Sequence, residues 1–236
     1  MRKGWLLVVV MWWGCSLLEA QSPEDLRCRR PELVVPPEGP VAYAFICLDS
    51  QPWRPDSALG ALTCSIGECV RYILYFVQRA PTPALPFYEA VLLFDFNENH
   101  LKTDTTYYLF NSNPFDRERV ARGELPEDVL GMMGSFGEID GDLSLSSYWI
   151  AREDSLRSWV RFSRIDTVQT EPFLLVFYEG TFEVVLSPFH RSYRSRYPDA
   201  KLHFQGRFRV PAVTWDYLHR CWREGKDCLR VQVRTL

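Results

Sequence analysis

Residues 173–186 read Phe-Leu-Leu-Val-Phe-Tyr-Glu-Gly-Thr-Phe-Glu-Val-Val-Leu, and residues 201–210 read Lys-Leu-His-Phe-Gln-Gly-Arg-Phe-Arg-Val. In the second run Leu202, Phe204, Gly206, Phe208 and Val210 alternate with Lys201, His203, Gln205, Arg207 and Arg209. A period of two sends alternate side chains to opposite faces of a strand, so this run predicts a half-buried strand. The first run is rich in β-branched and aromatic residues, and from Gly180 onward Phe182, Val184 and Leu186 alternate with Thr181, Glu183 and Val185. The two runs predict neighbouring strands of one sheet, joined by a basic, aromatic loop.

Similar signals recur outward from this pair. Residues 41–48 predict a first strand, followed by a turn over 49–55 that carries Trp53. Residues 70–77 are apolar on both faces, as in a central strand covered above and below. Residues 89–96 and 105–110 predict further strands. So do 143–150 and 156–165, read as a pair joined by the charged turn 152–155, and 229–233 at the end. Residues 56–69 are small, glycine-containing and cysteine-bearing, which suits a disulfide-tied loop. Residues 111–141, with Asn113-Pro114 and then Gly134, Gly137 and Gly141, predict an irregular surface insertion; a lid over a cleft also fits such a stretch, but no reactive constellation accompanies it. In the tail, Trp215, Leu218 and Trp222 have helical spacing. Many short strands separated by proline and glycine indicate an all-β fold. It is expected to be an antiparallel β-sandwich or open barrel-like pair of sheets with one or two short helices, forming a single domain over 41–236.

The first 20 residues predict an export signal: Arg2 and Lys3, an apolar run too short to span a bilayer, and the small residue Ala20 at the cut. A rival cut before Cys15 would make a lipoprotein, attached peripherally to a membrane through that cysteine. Residues 21–40 form a charged, proline-rich, extended lead-in. Beyond the signal lie Cys28, Cys47, Cys64, Cys69, Cys221 and Cys228, an even set that behind an export signal indicates disulfides. Fifteen full pairings exist for six cysteines. The local choice joins Cys28 to Cys47, Cys64 to Cys69 and Cys221 to Cys228. The net charge of −3 argues against nucleic acid and against a polybasic membrane-binding surface.

Residues with catalytic or metal-binding chemistry form no complete constellation. Asp95, Asn97 and Asn99 alternate like the opening of a calcium loop, but His100 stands where glycine is needed and Thr106 where the closing acid should be. Glu138, Asp140 and Asp142 surround Gly141 in a second acidic turn. His100, His190, His203 and His219 lack zinc spacing. Gly134-Ser135-Phe136-Gly137 lacks the residue that a nucleophile elbow places between glycine and serine. Asp166, Glu179 and Glu183 are acids that a glycosidase could use in name only, and they are read as solvent-facing strand residues. The loop 189–197 interleaves arginine with aromatics, and Trp149, Trp159, Trp215 and Trp222 suit either a sugar platform or a core.

The order Ala44-Phe45-Ile46-Cys47-Leu48-Asp49-Ser50-Gln51-Pro52-Trp53-Arg54-Pro55 resembles the Phe-Gly-Cys-x-Val-Asn-Gly-x-x-Trp-x-Pro opening of small exported β-rich proteins and lipoproteins common in Bacteroidota. Phe162 to Asp166, then Gly180-Thr-Phe182 and Gly206-Arg-Phe208, are similar to that family's closing strands. The chain departs from the pattern at Ile46, Asp49 and Ser50, where the pattern has Gly, Asn and Gly, and the chain adds a tail over 211–236. The resemblance implies a β-rich envelope protein and carries over no catalytic residue.

The sequence therefore points to a non-catalytic interaction or structural β-sandwich of the cell envelope, periplasmic, surface-held or secreted, whose partner is a protein or glycan. No catalytic, cofactor or metal residue is assigned. The alternative is a carbohydrate-binding or glycan-processing module that uses exposed tryptophans and paired carboxylates.

Overall fold

The computed structural model describes residues 42–65, 68–96, 101–109, 132–170 and 173–214, together with the isolated positions Cys28, Arg122, Gly123, Arg223, Arg234 and Thr235. The expected signal, the lead-in apart from Cys28, most of the 111–131 stretch, the tail expected to be helical and the expected strand at 229–233 lie outside these residues.

Twelve strands are described: β1 (Tyr43–Leu48), β2 (Gln51–Trp53), β3 (Ser57–Ser65), β4 (Glu68–Arg79), β5 (Tyr88–Phe96), β6 (Thr106–Tyr108), β7 (Met132–Asp140), β8 (Leu143–Trp149), β9 (Trp159–Thr170), β10 (Phe173–Arg191), β11 (Leu202–Thr214) and β12 (Arg234–Thr235). A 3-10 helix, Arg152–Arg157, separates β8 from β9. The fold is all-β, as the alternation predicts.

All the strands belong to one sheet that returns on itself through two long strands. Residues 176–186 of β10 pair antiparallel with β11, while residues 187–191 pair with β8. In the same way β11 gives residues 204–209 to β1 and residues 212–214 to β3. Strands that change partner along their length make the corners between layers. One layer holds β1, β11, β10, β9 and β6, and the other holds β3, β4, β5, β7 and β8. Most pairings are antiparallel, but β11 runs parallel to β3 and β1 parallel to β12.

The inward faces meet in an aromatic core. Phe76 of β4 lies 5.7 Å from Phe208 and 5.9 Å from Phe182, and Phe136 of β7 lies 5.0 Å from Phe204. Leu202, Phe204, Phe208 and Val210 are fully buried, as are Val184 and Leu186. Rings this large need room on the facing strand, and glycine supplies it. In the β10–β11 register Gly180 faces Phe208 and Phe182 faces Gly206. A β-carbon on Gly206 would come within 3.0 Å of the Phe182 ring and 2.6 Å of the Phe45 carbonyl oxygen.

Several sequence expectations are corrected. Residues 132–140 are not irregular but form β7, between β5 and β8. Gly134 is tolerated inside this strand because Ile150 and Leu109 pack where its side chain would be. Residues 57–65 are a strand rather than a disulfide-tied loop. Strands β8 and β9 do not pair with each other; both lie along the same side of β10, end to end. Strand β4 is fully buried on one face only, through Tyr72, Leu74 and Phe76.

Two tight hairpins complete the frame. Asp49 and Ser50 both adopt positive φ, of 47° and 67°, between the paired residues Leu48 and Gln51. That is the primed turn whose twist suits a two-residue hairpin, formed here without the Asn-Gly of the resembling pattern. Asp49 also locks the hairpin to β11: its N–H donates to the His203 carbonyl, and its carboxylate accepts the His203 N–H at 3.0 Å. Gly141, with φ of 59°, turns β7 into β8.

Candidate functional site

The cysteines were the only residues assigned a covalent role. Cys28 and Cys47 form a disulfide, with Cα atoms 5.6 Å apart. It ties the segment before β1 to the outer face of that strand, where the Gln205 side-chain amide also donates to the Cys28 carbonyl. Closing a loop with a sequence separation of 19 residues stabilises the fold by about 3 kcal/mol through lost chain entropy. Cys64 and Cys69 stand opposite each other in the β3–β4 register. Cys221 and Cys228 lie outside the described residues.

Asp166, Glu179 and Glu183 share the outer face of β9 and β10, but in structural pairings. Glu179, 8% exposed, accepts from the Tyr43 hydroxyl at 2.8 Å and from Arg207 at 3.0 Å. Burial, then the bond to Glu179, pushes the Tyr43 phenol well above its ordinary range. Asp166 meets Arg164 and Arg209, each at 2.8 Å. Glu183 meets His203 at 2.9 Å. Glu179 and Glu183 are four residues apart on one strand, roughly 13 Å, which is beyond the reach of a glycosidase pair. Each of the three acids meets a neighbouring side chain.

Glu138 is a buried anchor, although the sequence placed it in an acidic turn. It faces inward from β7 and is fully buried. Its carboxylate accepts from Tyr88 Oη at 2.8 Å, Ser146 Oγ at 2.5 Å, the Arg196 N–H at 2.8 Å and Ser195 Oγ. Four donors compensate a buried carboxylate. Two of them belong to the loop between β10 and β11, so Glu138 holds that loop down. Tyr197 of the same loop inserts between layers. Its hydroxyl accepts from Trp53 Nε1 at 2.9 Å, and its ring lies 4.7 Å from Phe136. Burial pushes the Tyr197 phenol up to about 12.

The outer surface of the loop is different in character. Arg191 donates through Nε to the Tyr197 carbonyl at 2.8 Å, Arg194 lies over the Tyr193 ring at 5.5 Å, and Arg196 lies over the Tyr88 ring at 3.7 Å. Among the described residues none of these three guanidiniums meets a carboxylate. In contrast, Arg79, Arg161, Arg164, Arg207 and Arg209 all do. Just before the loop, the β10–β8 register shifts between Pro188 and His190, leaving Phe189 as an extra residue on β10. Its ring stacks on Trp149 at 4.4 Å and 7°, and it remains 69% exposed. A bulge re-aims a side chain in this way, and no sequence spacing announces it.

Metal ligation finds little support in these residues. Asp95 is buried at the end of β5 rather than in a solvated turn, while Asn97 and Asn99 lie outside the described residues. Among the described residues no group of three or more His, Cys, Asp or Glu is placed to hold a metal ion. His203 lies on the outward face, as expected, and Ser135 sits in mid-strand.

No protein-family model, curated protein or solved structure matches the chain. Fold and site define an all-β protein of one continuous two-layered sheet, braced by a disulfide and presenting an arginine-rich aromatic loop.

Proposed function

We propose that this chain is an exported, non-catalytic interaction protein of the cell envelope. One observation carries the reading: Glu138, Asp166, Glu179 and Glu183 all have internal partners, while arginines with no carboxylate on their guanidinium among the described residues gather on the β10–β11 loop and the end of β10, beside the exposed ring of Phe189. A surface with fixed cations and aromatics but no free acid pair suits binding rather than hydrolysis. The Cys28–Cys47 disulfide is compatible with an oxidising compartment, and the basic-then-apolar start and the resemblance to exported proteins of Bacteroidota support the same placement.

A second reading, a carbohydrate module, gains support from the exposed Phe189 ring stacked parallel on Trp149, in its binding form rather than its cleaving form. The test is an assay of newly formed reducing ends with the purified protein and a panel of envelope and dietary polysaccharides. The expected result is no release above a heat-treated control. Release that disappears in Glu183→Gln or Glu179→Gln would replace this proposal with a glycosidase.

A further inference from the structure

We infer that the β10–β11 loop and the bulge beside it form a binding site for an acidic polysaccharide, one bearing uronate carboxylates or sulfate esters. The inference rests on the reading of the chain as a non-catalytic binding protein and names its partner.

Charge is the first argument. Residues 190–199 carry Arg191, Arg194 and Arg196 against one carboxylate, Asp199, in a chain whose net charge is −3. A guanidinium is a planar fork matched to carboxylate and sulfate oxygens, and on Arg79, Arg161, Arg164, Arg207 and Arg209 that capacity is taken up by Asp or Glu. Here it is not.

Preorganisation is the second argument. Arg191 is held by the Tyr197 carbonyl, Arg194 by the Tyr193 hydroxyl at 3.1 Å, and the loop itself by Ser195 and Arg196 on buried Glu138. Cations held in place lose less side-chain freedom when an anion arrives.

The third argument is the aromatic surface. Phe189 and Arg191 are two residues apart at the end of β10, roughly 7 Å along a strand, and both are exposed. Phe189 is braced on Trp149, and Tyr193 is 86% exposed. Apolar sugar faces pack on such rings while acidic substituents reach the neighbouring guanidiniums. A polymer extends these contacts along the loop, which a single small anion cannot do.

The test is calorimetric titration of the purified protein at low ionic strength with polygalacturonate, heparin, neutral dextran and a 20-mer oligothymidylate. The expected result is binding to one or both acidic polysaccharides that weakens as salt rises, with none to dextran. Binding should fall at least tenfold in R191Q/R194Q and in F189A, and stay unchanged in R157Q, whose guanidinium lies on the 3-10 helix. R194K keeps the charge without the fork and should recover only part of the loss relative to R194Q. Thermal unfolding of each variant checks that the fold is retained. The inference is overturned if neither acidic polymer binds, if the loop variants bind like wild type, if dextran binds equally well, or if the oligonucleotide binds more tightly than both polysaccharides. Cleavage of a bound polymer would instead overturn the non-catalytic reading and leave the site in place.

Discussion

The ring of Phe182 lies over Gly206, and one ladder step pair away Phe208 lies over Gly180, so the two central strands exchange an aromatic for a vacancy in both directions. The Gly-x-Phe spacing repeats in both strands, and antiparallel pairing brings each glycine to the other strand's phenylalanine. Covering a strand glycine with a cross-strand ring offsets what the glycine costs in strand propensity. Replacing Gly206 by Ala should therefore destabilise the protein by about 2–3 kcal/mol, because the new methyl meets the ring of Phe182 and the backbone oxygen of Phe45. Gly180→Ala should do the same against the Arg161 carbonyl. Gly137→Ala, whose nearest neighbour would be 3.4 Å away, should change stability by less than about 1 kcal/mol. Urea unfolding of the three variants checks the contrast; equal effects would mean that the rings do not occupy these places.

Tyr72 supplies a test of the opposite sign. Its hydroxyl is buried with no hydrogen-bond partner among the described residues and packs against Gly60, where a β-carbon would come within 2.6 Å of it. Burial pushes the phenol well above its ordinary range. An unpaired buried hydroxyl costs about 1–3 kcal/mol, so Tyr72→Phe should raise the unfolding midpoint. A lowered midpoint would mean that the hydroxyl is satisfied.

Glu138 governs the loop. Removing its carboxylate with Glu138→Ala leaves four donors without their acceptor, at a cost of about 3 kcal/mol or more. The loop should detach before the sheet unfolds, so trypsin should cut at Arg191, Arg194 or Arg196 far faster than in wild type. Cleavage at an unchanged rate would show that Tyr197 alone holds the loop.

Alkaline pH should unfold the protein through its tyrosines. Burial is the first cause of the raised phenols of Tyr43, Tyr72, Tyr88, Tyr148, Tyr178 and Tyr197. A phenol whose proton is held more tightly in the folded state contributes its full stability below the unfolded value of about 10 and loses it as pH rises toward the folded value. For Tyr197 that window runs from 10.0 to about 12. Each tyrosine that ionises only on unfolding removes about 1.4 kcal/mol per pH unit in its window. Absorbance at 295 nm should show these six phenols ionising together with the loss of near-ultraviolet circular dichroism. Their smooth titration in a folded protein would contradict the buried placement.

What could be read from residues alone was whatever depended on local alternation. Strands β10 and β11 declared themselves because one face is apolar and the other charged. Strand β7 did not, because Gly134 and Gly137 resemble loop residues until Ile150 and Leu109 are known to fill the space above Gly134. The corner-turning of β10 is likewise a property of length and partners, and its pairing with β8, β9 and β11 has no local marker. Glu138 looked like one more acid near a turn, since its donors Tyr88, Ser146 and the adjacent Ser195 and Arg196 come from three places in the chain. The loop's composition was visible, but the bulge that lifts Phe189 onto Trp149 was not.

The central claim is an exported binding protein held by a disulfide, and its most direct measurement is mass analysis of the native protein from fractionated cells, alkylated without reduction. The account predicts recovery from the envelope or medium, a mature start at Gln21, and a peptide pair linked through Cys28 and Cys47. Recovery from the soluble cytosol with Met1 or Arg2 at the start and both cysteines alkylated would contradict it.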